Sequence, residues 1–230
     1  MATKRRQIKQ HNTRKHKNKS CICVISTKNP NHVLIKTIQN VKLYYPEFKI
    51  VVIDSDSTKF KYFKLVPPDV KIEYCKNKNW ELGAWCYAFE KYNNYDVYMF
   101  IQDSLTPIKR IPNLNVKPNQ LYSFHYKAKI SDGGHFDVLK QIYKNTELSF
   151  ISNLDPSTPI VGTAHTSFIT NKENVYTILQ LENVYKEKKI KKTKVHSWLS
   201  ERCGGLMAER NHNKRYDITP YFKKQSLNRI

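Results

Sequence analysis

The chain predicts an α/β fold, a mostly parallel central sheet flanked by helices. Apolar runs of strand length alternate with segments whose apolar residues recur every three or four positions. The loops between them suit crossover connections, which place helices on the faces of a parallel sheet. Polar and acidic residues of the first half gather where the strand runs end, the edge at which such sheets bind ligands.

CICVIST (21–27) reads as a buried strand, followed by the loop KNPNH. In HVLIKTIQNVKLYY, Val33, Leu34, Ile38, Val41 and Leu43 keep helical spacing, and the pattern stops before Pro46. FKIVVID is the second strand, ending at Asp54. After the Pro67-Pro68 corner a third begins at Val70 with VKIEY. ELGAWCYAFEKY predicts a helix from Glu81 to Tyr92, and DVYMFI is a strand that feeds directly into Gln102-Asp103-Ser104.

The second half is less regular. QLYSFHY (120–126) and TPIVGTAHTSFIT (158–170) look strand-like, while KENVYTILQLENVYKE and HSWLSERCGGLMAER read as helices. Gly204-Gly205 in the last of these marks either close packing or a bend. No repeat or linker divides residues 21–230, so they read as one domain behind a basic tail.

That tail, residues 1–20, has eight Lys or Arg, no acid and no apolar core, and is expected to be disordered. It lacks the apolar stretch of a secretory signal, and no run approaches the ~18 apolar residues of a membrane span. The net charge of the 230 residues is +21. Such a surface suits nucleic acid, anionic headgroups, phosphorylated donors or acidic glycans; KEKKIKKTK (186–194) is a second basic stretch. Five cysteines without paired CxxC units argue against structural zinc and for reduced thiols.

Neither GxGxxG nor GxxxxGK[ST] follows the first strand, so dinucleotide oxidoreductases and P-loop NTPases lose ground. The order CICVISTKNPNH, FKIVVIDSDST, then NKNWELGAW…YDVYMFIQDSLTP resembles the nucleotide-sugar-binding half of GT-A glycosyltransferases, in particular the family 2 group. The ELGAW segment with the hydrophobic QDS strand is also similar to smaller bacterial and giant-virus glycosyltransferase-like proteins. The resemblance covers residues 20–108 and implies transfer of a sugar from a nucleotide-sugar donor, UDP being the commonest carrier, to a glycan or other hydroxyl acceptor. It makes 21–108 the donor half and 109–230 the acceptor side. It fits a cytoplasmic protein or one of a viral factory or virion. A catalytically silent scaffold that binds glycan, and a basic nucleic-acid-binding protein, are the alternatives.

The same resemblance implies the roles of particular residues. Ser26 and Thr27 match positions whose backbone lies near the nucleoside. Asp54, with Asp56 as its alternative, matches the carboxylate that recognises base or ribose; the competing reading of both is turn formation. Glu81, in the first turn of its helix, either approaches the donor sugar or complements the helix dipole. Asp103 matches the middle of the metal-binding acidic tract, where Mn²⁺ or Mg²⁺ would bridge the donor phosphates. Its neighbours are Gln102 and Ser104 where the family has carboxylates, so the charge role is open to basic side chains such as Lys109 and Arg110. Glu201 is the positional match for a catalytic base, with an ion pair to Arg202 as the competing reading, and His165 is the second candidate base.

Overall fold

The computed structural model describes residues 19–76, 80–190, 193–210 and 214–225. The NKN loop, His212, Lys191 and Lys192 of the second basic stretch, and all but the last two residues of the basic tail lie outside them. Four strands of the first half form where the apolar runs predict them: β1 (Cys21–Thr27), β2 (Phe48–Ser55), β3 (Lys71–Cys75) and β4 (Val97–Gln102). All are parallel, with β1 flanked by β2 and β4. β1 and β4 are buried along almost their whole length, which explains why they read as unbroken hydrophobic runs rather than alternations.

Successive residues of these strands nevertheless serve opposite layers. Cys23 and Ile25 pack with Leu34, Ile38 and Val41 of helix α1 (His32–Tyr44). Ile22 and Val24 pack with Leu82 and Trp85 of helix α2 (Trp80–Lys91) on the other face. The start of α1 is fixed by Asn31, whose side-chain oxygen accepts the Val33 N–H at 2.9 Å.

Beyond β4 the chain adds β5 (Leu105–Pro107), β6 (Gln120–Lys129), helices α3 (Phe136–Tyr143) and α4 (Ser149–Ser152), β7 (Pro159–Asn171), α5 (Lys172–Glu187), α6 (Lys194–Arg210), β8 (Lys214–Asp217) and β9 (Phe222–Lys224). The main sheet has the order β3-β2-β1-β4-β7-β6-β8, and β7 runs against the other six strands. This is a mixed, mostly parallel sheet flanked by helices. β5 and β9 pair in a small antiparallel sheet of their own.

Two features of the second half position the site. Gly205 lets α6 pack closely on β7, since a Cβ there would run into the Val161 carbonyl, whereas one at Gly204 would make only ordinary contact with Thr163. Opposite Phe124, β7 bulges over residues 164–167, between the pairs His125–Thr163 and Ser123–Phe168. There His165 and Thr166 adopt φ of 60° and 45°. Left-handed backbone is unfavourable for a β-branched residue, and the Trp85 indole N–H holds it in place by donating to the Thr166 carbonyl at 2.8 Å.

Candidate active site at the mouth of β4

Strand order reverses between β1 and β4, and the carboxyl ends of both strands open at that point. In open α/β sheets this is where ligands bind. β4 pairs with β7 only as far as Phe100–Phe168, so the bulge parts the two strands just before Gln102. Residues from α2, β4, β7, α6 and β9 meet at that mouth.

Asp103 sits at the junction, 1% exposed. Its carboxylate accepts the Thr27 hydroxyl at 2.6 Å, its N–H donates to the Ser26 carbonyl at 2.9 Å, and its own carbonyl accepts the Thr37 hydroxyl at 2.8 Å. Ser26, Thr27 and Asp103 are thus brought together, the first through its backbone.

Around them lies a second group. The Gln102 amide donates to Glu81 Oε1 at 2.8 Å and, at 3.4 Å, to the His165 carbonyl. Glu81 Oε2 accepts the Ser197 hydroxyl of α6 at 3.4 Å. Glu201, one turn further along α6, accepts the His165 backbone N–H. Burial first, and then the negative charge of Glu81, push the Glu201 carboxyl up to about 7. His165 moves the other way: burial, reinforced by Lys224, lowers its imidazole to about 4. It is neutral at pH 7 and a weak base, and its backbone rather than its ring orients Gln102 and Glu201. The Arg202 guanidinium lies beneath Gly133, where a Cβ would lie 2.7 Å from Nη2, and its charge partly opposes the rise at Glu201.

Lys224, on β9, is the residue that sequence reasoning missed. Its ammonium donates to Gln102 Oε1 and to Ser104 Oγ, both at 2.7 Å. The basic residues singled out from sequence lie elsewhere. Arg110 pairs with Glu47, just before β2 and so at the amino end of the strands, at 2.6 Å, and Lys109 stands over the Tyr221 ring. The signal for Lys224 was faint: a basic residue in the short run YFKK, whose strand exists only through its pairing with β5.

Asp54 belongs to a different hydrogen-bonded group, at the mouth of β2, and Asp56 stands in the same turn. Asp54, 2% exposed, accepts both the hydroxyl and the N–H of Ser57, the latter at 3.2 Å. Ser57 Oγ in turn accepts the Asn29 N–H at 2.6 Å, lacing this turn to the loop after β1. Burial raises the Asp54 carboxyl against the opposing effect of these Ser57 bonds. Asp56 is exposed, with φ of 64°, in the same turn. Asp54 has the contacts of a turn former, and Asp56 has the backbone of one.

Among the described residues no three His, Cys, Asp or Glu side chains gather as a metal cage. The acidic tract that would hold Mn²⁺ or Mg²⁺ is reduced to Asp103, whose carboxylate already takes the Thr27 hydroxyl. The flanking oxygens of Gln102 and Ser104 are neutral and both hold an ammonium. A divalent cation at the flanking oxygens would therefore meet neutral ligands and the like charge of Lys224; that pair of positions does not fit one.

No protein-family model matches the sequence, and no curated protein is similar enough to match it. Solved structures are similar to it in part. The crystal structure of GalNAc-T7 with UDP, GalNAc and Mn2+ is 14% identical over 70% of this chain and 36% of that one, with a TM-score of 0.48. The mannosyltransferase PcManGT from Pyrobaculum calidifontis, in complex with GDP-Man and Mn2+, is 14% identical over 56% of this chain and 41% of that one, with a TM-score of 0.38. This chain therefore matches less than half the length of each of those two proteins.

Proposed function

We propose that the chain transfers a sugar from a nucleotide-sugar donor, UDP-linked by preference, to a hydroxyl group of a glycan acceptor. The observation that carries this reading is the Glu201 carboxyl, raised to about 7 and held over the β4 mouth at the switch point of the sheet. A base with that proton affinity is half ionised at neutral pH, where general-base catalysis is most effective. The resemblance of residues 20–108 to the GT-A donor half supports the substrate class.

In this reading Glu201 takes the proton of the acceptor hydroxyl as its oxygen attacks the anomeric carbon. The bond from that carbon to the diphosphate oxygen breaks, and the electron pair leaves with the nucleoside diphosphate. The His165 N–H orients the Glu201 carboxylate, and the negative Glu81 beside it raises its basicity. Gln102 ties Glu81 to the strand end. Thr27 and Asp103 form the donor floor, with Asp103 held by three hydrogen bonds from two elements, β1 and α1. Asp54 and Asp56 flank it on the side assigned to the nucleoside.

The donor assignment is tested by a panel of UDP-, GDP- and dTDP-sugars, reading release of the nucleoside diphosphate. Selective turnover of one donor supports the proposal. Failure of every nucleotide to bind overturns it, in favour of a scaffold without catalysis. No helix among the described residues is long and apolar enough to cross a membrane.

A further inference from the structure

We infer that Lys224 supplies the positive charge that holds the donor's diphosphate and stabilises it as it leaves, in place of a divalent metal ion. This rests on the glycosyl-transfer reading above. Three positions change together with one electrostatic result. Gln102 and Ser104 stand where the GT-A pattern has carboxylates, which removes negative charge that a divalent ion needs. Lys224 brings a cation to those same two side chains, at 2.7 Å from each. These two acceptors are neutral oxygens that orient the ammonium, whereas carboxylates at the same positions would have paired with it.

The placement is built by the backbone. Lys224 lies directly across from Leu105 in the β5–β9 pair, and the Gln225 N–H donates to the Ser104 carbonyl at 2.8 Å. A surface lysine on a free tail would have neither restraint. Its field is felt in the crevice, since it opposes protonation of both His165 and Glu201. The balance of the reaction is unchanged by the substitution of one cation for another. The bond between the anomeric carbon and the diphosphate oxygen breaks, its electron pair stays on that oxygen, and the ammonium stabilises the charge that develops there. Preorganised charge of this kind is commonly the largest contribution to acyl and phosphoryl transfer rates.

Calorimetric titration of UDP and GDP into the full chain tests the inference. Wild type, Lys224→Ala, Lys224→Gln and Lys224→Arg are each measured with chelator and with Mn²⁺, after thermal melts confirm folding. The expected result is wild-type binding of equal affinity under both conditions. Loss of about tenfold or more is expected in the Ala and Gln variants, as for one charge-assisted hydrogen bond, with recovery in the Arg variant. Binding that needs Mn²⁺, or binding that is indifferent to Lys224→Ala and Lys224→Gln, overturns the metal substitution and leaves glycosyl transfer standing. Absence of nucleotide binding by wild type under both conditions overturns the glycosyl-transfer reading, and this inference with it.

Discussion

The mouths of β2 and β4 each end a buried strand in a buried carboxylate, Asp54 in one and Asp103 in the other, yet the two carboxylates keep different company. Asp54 takes its hydrogen bonds from Ser57, three residues away. Asp103 is bound to Thr27, 76 residues away, and its neighbour Gln102 meets Glu81, His165 and Lys224 at separations of 21, 63 and 122 residues. A polar residue satisfied within its own turn needs no further explanation than the turn. A polar cluster assembled from five separate elements has a cost in chain ordering that local folding does not require, and that is the sounder mark of a functional site.

Variants at each mouth put this contrast to the test. The largest effect is expected from Glu201→Gln, which should lower turnover by about 10²–10⁴-fold, the usual range for a lost general base, while nucleotide affinity in titration stays unchanged. Wild-type turnover should also fall about tenfold per pH unit below about 7, as Glu201 takes up its proton. That limb should be absent from the residual activity of the Gln variant.

Stability should move in the opposite direction to activity. The Glu201 carboxyl is raised from its ordinary 4.5 to about 7 in the folded chain, so between those values the folded state binds more protons than the unfolded one. Stability is therefore lost as pH rises through this window. Melts of Glu201→Gln at pH 8 should show a higher Tm than wild type, and a lower one would remove the burial explanation for this residue.

Gly205→Ala comes next. Its Cβ meets backbone rather than a flexible side chain, so α6 must shift on β7. A loss of about 1–3 kcal/mol is expected in denaturant titration, together with reduced turnover, because Glu201 rides on the same helix. The smallest effect belongs to Asp54→Asn: about 1 kcal/mol of stability from the weakened Ser57 bonds, with nucleotide affinity within about twofold of wild type. A tenfold loss of nucleotide affinity at unchanged stability would break the contrast between the two mouths and return Asp54 to the donor site.

Much of this was legible in the sequence, for identifiable reasons. β1, β2 and β4 show as apolar runs because helices cover both faces, and α1 shows through the spacing of Leu34, Ile38 and Val41. The Gly204-Gly205 pair was open between close packing and a bend, and the Gly205 contact with the Val161 carbonyl decides for close packing. β8 and β9 were not legible, since strands of four and three residues have no pattern of their own and form by pairing with distant partners. The bulge at His165 and Thr166 was hidden because its left-handed positions are not glycines. Arg110 misled through nearness in sequence: seven residues after Asp103, the chain has already reached Glu47 at the other end of the sheet.

The β5–β9 pairing also has a temporal side. Gln102 and Ser104 leave the ribosome more than a hundred residues ahead of Lys224. At about 5–20 residues per second, the strand mouth waits roughly 6–25 s for its ammonium. A nascent chain can thus bury most of its parallel strands while the polar cluster at the β4 mouth still lacks its ammonium, and translation that aborts before β9 yields a product with the early strands in place and Gln102 and Ser104 without their Lys224 partner.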